Sequence, residues 1–200
     1  MSDHRLQLAV ILGSIRDGRI GPTVANWFAG EADRRDDVLV DRVDLADVPI
    51  GSAAPTMTPP PEVLAALREL TPRFDAADAF VVVTPEYNRS YPAGLKNIID
   101  WHNTQFHAKP VAFVSYGGIS GGLRAVEHLR AVFTELHAVT TRDTVSFHNV
   151  WEQFDGDGRP KDPQRPAAAA ETLLDQVAWW ARALKHARAT TPYRTLNTAR

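Results

Sequence analysis

The sequence contains no cysteine. This absence excludes disulfides, thiolate nucleophiles and metal or iron–sulfur sites built on cysteine ligands. An excess of charge is also missing, because 22 lysines and arginines stand against 24 aspartates and glutamates and leave a formal net charge of −2. Nothing in that balance indicates nucleic acid or an anionic membrane as a partner. We expect any bound anion to be held by a local site.

Long apolar segments are absent as well. No window approaches the ~20 apolar residues that span a bilayer, and residues 1–5 lead into a strand-like segment without the apolar run of a signal peptide. We therefore expect a cytoplasmic protein. With 200 residues, 44% apolar and 23% charged, the chain predicts one globular domain over residues 1–187, followed by a polar tail at 188–200.

Short aliphatic runs alternate with helical patterns along the chain. The runs predict strands at residues 6–12, 38–43, 79–83 and 111–114, with a less regular fifth strand inside 139–150. Helical spacing predicts five helices. The first begins at Pro22 with Gly21 as its cap, the third covers 93–101 and the fifth covers 168–186. The residues predicted to be buried are Val63, Leu64, Leu67, Leu70 and Phe74 on the second helix, Val126, Leu129, Val132, Phe133 and Leu136 on the fourth, and Leu173, Val177, Trp180 and Leu184 on the fifth. Nearly pure aliphatic strands are typical of sheets covered on both faces. The fold class is α/β, a five-stranded doubly wound parallel sheet with helices on both faces.

Ligands of such sheets bind beyond the carboxyl ends of the strands, so the loops after strands one, three and four are the candidate site. The first loop carries Ser14, Arg16 and Arg19 between a strand and a helix, where N–H groups, the helix dipole and guanidinium forks favour a phosphate. The glycines do not match the dinucleotide fingerprint, and no P-loop lysine follows. Pro22 provides no N–H. The alternative is a solvated turn with surface arginines.

The other two loops have unusual compositions. Residues 84–92 contain Pro85, Tyr87 and Pro92, and their N–H groups and aromatic ring suit the edge of a planar heterocycle. Residues 115–122 include four glycines, which allow a close approach of backbone to ligand. Each loop has a plainer interpretation, an ordinary strand-to-helix turn for the one and turn geometry for the glycines of the other.

Three segments together carry a family resemblance: GSIRDGRIGPTVANW, PEYNRSYPAGLKNIIDW and VSYGGISGG. They resemble the signature segments of the NADPH-dependent FMN reductase family, flavodoxin-like enzymes that include quinone, azo-dye and chromate reductases. The resemblance covers roughly residues 6–140. It departs late in the first loop, where many relatives have Ser or Asn and this chain has Arg19 and Gly21-Pro22.

The resemblance implies bound FMN, NADPH or NADH as co-substrate, and a quinone, flavin or similar small-molecule acceptor. It implies that the FMN phosphate is held by Ser14, Arg16, Arg19 and Ile20, that the isoalloxazine ring is bordered by Pro85, Glu86, Tyr87 and Asn88, and that its other edge is lined by Ser115, Tyr116, Gly117 and Gly118. Because the flavin carries the chemistry, no catalytic side chain is predicted. The N–H groups of Gly117 and Gly118 are expected near the N1/O2 region of the flavin.

The remaining features leave alternatives open. The histidines do not form a metal motif such as H-E-x-x-H, so no metal is predicted. A homodimer or homotetramer is expected, with Leu95, Ile98, Ile99 and Trp101 contributing to the interface. Trp27, Trp101, Trp179 and Trp180 are expected in the core or a subunit interface.

Residues 146–166 either cover a site or reach a neighbouring subunit. A flavin-binding electron carrier or redox-responsive binding protein, and a specialised biosynthetic flavoenzyme whose pocket is shaped by residues 146–166 and 51–61, are the other functional interpretations.

Overall fold

The computed structural model describes residues 5–50 and 53–193. The expectations for residues 1–4, for the start of the 51–61 segment and for 194–200 lie outside that description. The strands are β1 Leu6–Leu12, β2 Val38–Asp44, β3 Ala79–Pro85, β4 Pro110–Tyr116 and β5 Val139–Phe147. The α-helices are α1 Gly21–Asp33, α2 Pro61–Ala76, α3 Ala93–Asp100, α4 Leu123–Glu135, α5 Val150–Gln153 and α6 Gln164–Thr190.

All five strands are parallel and lie in the order β2-β1-β3-β4-β5. This arrangement confirms the predicted flavodoxin-like fold class. Every residue of β3 and β4 is buried, as expected for central strands covered on both faces. The strand order reverses between β1 and β3, so the crevice for a ligand lies above their carboxyl ends.

Helices cover both faces of the sheet. One face packs against α1 and α6, and the other packs against α2, α3 and α4. The second layer contains a group of aromatic rings with centroids 4.9–6.0 Å apart: Phe74, Phe80, Phe106, Phe113 and Phe133. Tilted and edge-to-face ring pairs at such distances stabilise a core beyond the area that they bury.

Two helices differ from the sequence prediction in which side chains they bury. Leu64 of α2 and Trp180 of α6 are each 37% exposed, so neither belongs to a buried face. The last helix also runs past the expected end at 186 and across the boundary at 187. Its last turn is held from outside the helix, because Arg188 donates to the carbonyl oxygen of Ala108 at 2.5 Å.

The expected subunit interface around α3 is wrong for three of its four residues. Leu95, Ile98 and Ile99 are buried in this chain's own core, because the helix turns its apolar stripe toward the sheet. Trp101 is half-buried and donates its indole N–H to the carbonyl oxygen of Ala53 at 2.9 Å.

The other tryptophans expected in the core or an interface divide into two groups. Trp27 packs edge-on against Phe147 at 5.1 Å, whereas Trp179 and Trp180 contact each other and are exposed. Among the helices of the described residues, none has the length and apolar character needed to cross a bilayer.

Candidate active site

The three predicted loops meet at the carboxyl edge of the sheet around a cleft of about 210 Å³. Of the twelve residues predicted to bind the cofactor, nine line this cleft, and Ser14, Asn88 and Ser115 do not. The lining residues are Arg16, Asp17, Gly18, Arg19, Ile20, Pro85, Glu86, Tyr87, Tyr116, Gly117, Gly118, Val150 and Trp151. Parallel pairing explains the meeting, because it places the ends of β1, β3 and β4 side by side.

The loop between β1 and α1 offers hydrogen-bond donors that the protein does not use. Within the described residues, the N–H groups of Arg16, Asp17, Gly18 and Ile20 donate to no other group. Gly18 has φ +63°, a conformation that glycine adopts without strain and that turns the chain back toward the helix. The positive end of the α1 dipole lies at the same place. This set of donors suits a phosphate.

Contacts between side chains join this phosphate-site loop, residues 13–20, to the loop after β3. The Ser14 and Tyr87 hydroxyl oxygens are 2.7 Å apart, and Ser14 is fully buried. The Arg16 guanidinium lies 5.1 Å from the centre of the Tyr87 ring, within the range of a cation–π contact. Ser14 therefore lies behind the cleft and fixes the ring of Tyr87, while Arg16 stays exposed at its mouth.

Arg19 has partners that the sequence did not indicate. Its two terminal nitrogens donate to the carboxylate oxygens of Asp44 at 2.8 and 2.7 Å, and one of them also donates to the carbonyl oxygen of Ser14. This fork-to-fork pair ties the phosphate-site loop to the end of β2. Arg16, which has no ion pair among the described residues, is the guanidinium left for a ligand. A direct contact between Arg19 and phosphate stays a prediction.

Tyr116 extends from the end of β4 to the start of α1. Its hydroxyl is buried and has no hydrogen-bond partner within the described residues. A Cβ atom at Gly21 would lie 2.6 Å from that hydroxyl oxygen, so glycine is needed there for packing. Gly21 is the first helical residue, and the cap position falls on Ile20 instead. Burial raises the pKa of Tyr116 well above its usual value, and the phenol stays neutral.

The loop after β3 forms a tight reverse turn instead of a plain entry to α3. Asn88 and Arg89 have φ values of 49° and 70°, and the N–H groups of Tyr87 and Ser90 each donate to the other residue's carbonyl at 2.8 and 3.1 Å. Consecutive positive φ angles are typical of a type I′ turn. Ser90 is held further by its hydroxyl, 3.0 Å from Nδ1 of His128. The N–H groups of Asn88 and Arg89 are left free within the described chain.

Glu86 lines the cleft, and its carboxylate is bonded to the start of α4. Its carboxylate accepts hydrogen bonds from the backbone N–H of Arg124 at 3.1 Å and from the guanidinium of Arg124 at 2.8 Å. Burial raises the pKa of Glu86, but hydrogen bonds from Ser120 and Arg124 more than offset this effect, so the pKa lies below its usual value. Glu86 thus connects the loop after β3 to the glycine loop that precedes α4.

The glycine loop, residues 117–122, corrects one expectation about N–H donors. The N–H of Gly117 is not available to a flavin, because it donates to the carbonyl oxygen of Phe147 at 3.1 Å and extends the pairing of β4 with β5. The N–H of Gly118 makes no hydrogen bond within the described residues. Ser115 is buried behind the loop, where its hydroxyl donates to the carbonyl of Gly121 at 2.8 Å.

A fourth segment, which the sequence did not place at the site, lines the cleft as well. Val150 and Trp151 of the short helix α5 border the same cavity as the three loops. This helix follows β5 and belongs to the 146–166 stretch, whose length was the only signal in the sequence. Two residues of this stretch therefore border a cleft of their own chain. For the stretch as a whole, both expectations, that it covers a site or that it reaches a neighbouring subunit, stay predictions.

The chemistry of the cleft fits FMN. Unused N–H groups, a helix N-terminus and Arg16 lie together in the cleft, a set of donors that suits an anion, and the glycine loop and Tyr87 line the same cleft. A Cβ atom at Gly118 would meet nothing within 4 Å, so the glycine loop leaves room for a ligand. The fold and site together define a flavodoxin-fold protein of the kind that holds a phosphorylated planar cofactor.

Comparison with known proteins narrows this class. Residues 6–152 match the family model described as NADPH-dependent FMN reductase, and the chain belongs to that family. It is 37% identical over 120 residues to an NAD(P)H-dependent FMN reductase of Schizosaccharomyces pombe, covering 58% of this chain and 60% of that protein. It is 34% identical over 141 residues to a quinone reductase of Escherichia coli K12, covering 68% and 73%.

A solved structure supports the fold. The flavoenzyme NAD(P)H:(acceptor) oxidoreductase FerB from Paracoccus denitrificans superposes with a TM-score of 0.66 at 23% sequence identity, covering 89% of this chain and 98% of that one.

Proposed function

We propose that this protein is an NAD(P)H-dependent FMN oxidoreductase that passes electrons from a nicotinamide through bound FMN to a quinone, flavin or similar acceptor. The observation that carries the proposal is the family match over residues 6–152, together with the meeting of its three signature loops around one cleft. FMN, when bound, accepts a hydride from the nicotinamide and later gives up two electrons to the acceptor.

The protein's part in this reaction is to bind and to position. Arg16 and the free N–H groups at 16–18 and 20 would hold the phosphate. The Ser14–Tyr87 hydrogen bond fixes the aromatic wall, and the Glu86–Arg124 pair fixes the glycine loop. The N–H of Gly118 would lie at the ring edge where negative charge develops on reduction. This assignment requires no side-chain base.

Further properties follow as proposals from the same interpretation. The acceptor is a small molecule, the protein acts in the cytoplasm as a homodimer or homotetramer, and the elements from β1 to α6 form one FMN-binding domain. None of these properties is needed for the chemistry of the cleft, so each is tested separately. The mass of the FMN-loaded protein in solution, for example, tests the oligomeric state.

The decisive experiment follows the flavin directly. The purified protein, reconstituted with FMN, is mixed anaerobically with NADPH or NADH, and the absorbance of the flavin band is recorded before and after addition of a quinone. We expect bleaching by at least one nicotinamide and recovery of the band with the quinone. Failure to bind FMN would overturn the proposal, and bound flavin that neither nicotinamide bleaches would favour an electron carrier instead.

A further inference from the structure

Helix α5 is held firmly against the glycine loop. The N–H groups of Asn149 and Val150 donate to the carbonyls of Gly118 and Gly117 at 2.9 and 3.0 Å. The side chain of Val150 is fully buried in the core beneath α1 and α6, and His148 places Nδ1 2.9 Å from the carbonyl oxygen of Ile119. The next residue, Trp151, therefore has a fixed position at the edge of the cleft.

The indole of Trp151 is 70% exposed although it lines the cleft. On the glycine loop, Ile119 is 85% exposed and does not itself line the cleft. Among the described residues, Trp151 pairs with no other aromatic ring, whereas Trp27, Trp179 and Trp180 each do. Large apolar side chains left exposed at the mouth of a cleft mark ligand contacts more often than packing.

The sheet topology separates Trp151, at the outer edge of the cleft, from Tyr87, which forms the inner wall. Tyr87 follows β3 and Trp151 follows β5, so the two rings lie on either side of the glycine loop that follows β4. The inner ring is fixed by its hydrogen bond to buried Ser14. The outer ring faces solvent, from which the second substrate must arrive.

We propose that Trp151 forms the apolar wall against which a flat aromatic electron acceptor is held during its reduction. This inference rests on the proposed function, because it assigns the acceptor side of the same cleft. Trp151 contributes a broad rigid surface with little conformational entropy to lose, which favours planar rings over compact ions. The quinone is reduced by the two electrons and one hydrogen that the nicotinamide supplies as a hydride, and one proton from solvent completes the hydroquinone, so that NADPH, one proton and the quinone give NADP+ and the hydroquinone.

The test compares two acceptors of different shape on the FMN-loaded enzyme. KM is measured with saturating NADPH for menadione, a flat naphthoquinone, and for ferricyanide, a compact anion. In Trp151→Ala we expect the ratio of the menadione KM to the ferricyanide KM to rise roughly tenfold, and in Trp151→Phe less than about threefold because a flat ring is kept. Trp179→Ala, which removes an exposed indole of α6 remote from the cleft, is the matched control and should leave the ratio unchanged.

A binding measurement without turnover completes the test. Menadione added to the oxidised FMN-loaded protein should quench tryptophan fluorescence in the wild type and in Trp179→Ala, but much less in Trp151→Phe. An unchanged KM ratio in Trp151→Ala, or quenching that survives without Trp151, would overturn the inference. Loss of FMN from Trp151→Ala would overturn it too, since the indole would then be a cofactor contact. Absence of any flavin reduction in the wild type would instead overturn the proposed function.

Discussion

The two arginines of the phosphate-site loop show how residues of one type divide their work. Arg19 is 15% exposed and uses both terminal nitrogens on Asp44 and on the Ser14 carbonyl. Arg16 is exposed and stacks on the ring of Tyr87. One guanidinium therefore holds the loop in shape, and the other is free to bind an anion.

This division predicts different results for the two alanine variants. Arg16→Ala should raise the FMN dissociation constant at least tenfold, because a charge-assisted bond to phosphate is worth about 1.5–3 kcal/mol. It should leave the riboflavin dissociation constant and the melting temperature of the FMN-free protein nearly unchanged, since riboflavin lacks the phosphate. Arg19→Ala should lower that melting temperature, because the carboxylate of Asp44, which is only 28% exposed, loses its partner. Fluorescence titration and thermal melts measure the three quantities.

The outcome against this assignment is equally clear. If Arg16→Ala weakened riboflavin as much as FMN, the phosphate would not be bound at this loop. Asp44→Asn serves as the control for Arg19, because it breaks the same pair from the other side and should reproduce the loss of melting temperature while leaving Arg16 intact.

At the scale of elements, the Glu86–Arg124 contact fastens the loop after β3 to the start of α4. Glu86→Gln should lower the free energy of unfolding by about 1–3 kcal/mol, because the amide group turns a donor toward the donors of Arg124 within a buried site. Urea unfolding of the FMN-free protein at pH 7 measures this change. The matched control is Glu127→Gln on α4. The Glu127 side chain is 74% exposed, and its carboxylate lies 3.4 Å from Arg130. Its replacement should therefore lower the free energy of unfolding by no more than about 0.5 kcal/mol. Equal losses would show that Glu86 is an ordinary surface partner.

Much of the arrangement of elements was predictable, and the exceptions have physical reasons. Fully buried aliphatic runs such as β3 and β4 have few alternatives, and parallel strands oblige the loops that follow them to meet. The turn at Asn88-Arg89 escaped prediction because its second residue is not the glycine that usually occupies a positive φ. Helix α5 escaped because a single turn has no periodicity, and its place is fixed by the carbonyls of the glycine loop.

Side-chain roles were harder to predict than elements. The Arg19–Asp44 pair exists only because β2 lies beside β1, a neighbour relation that no local pattern contains. The length of the 146–166 segment was a usable signal, and it marked the region that brings Trp151 to the cleft. Family resemblance identified the loops, but the direction of each side chain depends on the neighbours given by the sheet order.

At the scale of the whole molecule, a charge cluster far from the cleft connects the start of β2 to the long helix α6. Asp37 accepts hydrogen bonds from Arg35 at 2.8 and 3.0 Å and from Arg182 of α6. Arg35 in turn donates to Asp175 of α6 at 2.5 Å. The hydrogen bond from Arg35, helped by Arg182, lowers the pKa of Asp37 from 3.8 to about 2.

This cluster predicts an acid dependence with a definite sign. Between about pH 4 and pH 2 the unfolded chain binds a proton at Asp37 before the folded protein does, so the stability that the cluster provides is complete above this interval and is lost as the pH falls through it. At pH 6, Asp37→Asn should lower the melting temperature by about 2–4 °C, corresponding to about 1 kcal/mol, and the difference from wild type should shrink toward zero by pH 2. Asp36→Asn, which changes an exposed neighbouring carboxyl with no ion pair within the described residues, should show no such difference at any pH. A gap between wild type and Asp37→Asn that stayed constant from pH 6 to pH 2 would mean that the charge of Asp37 does not anchor α6.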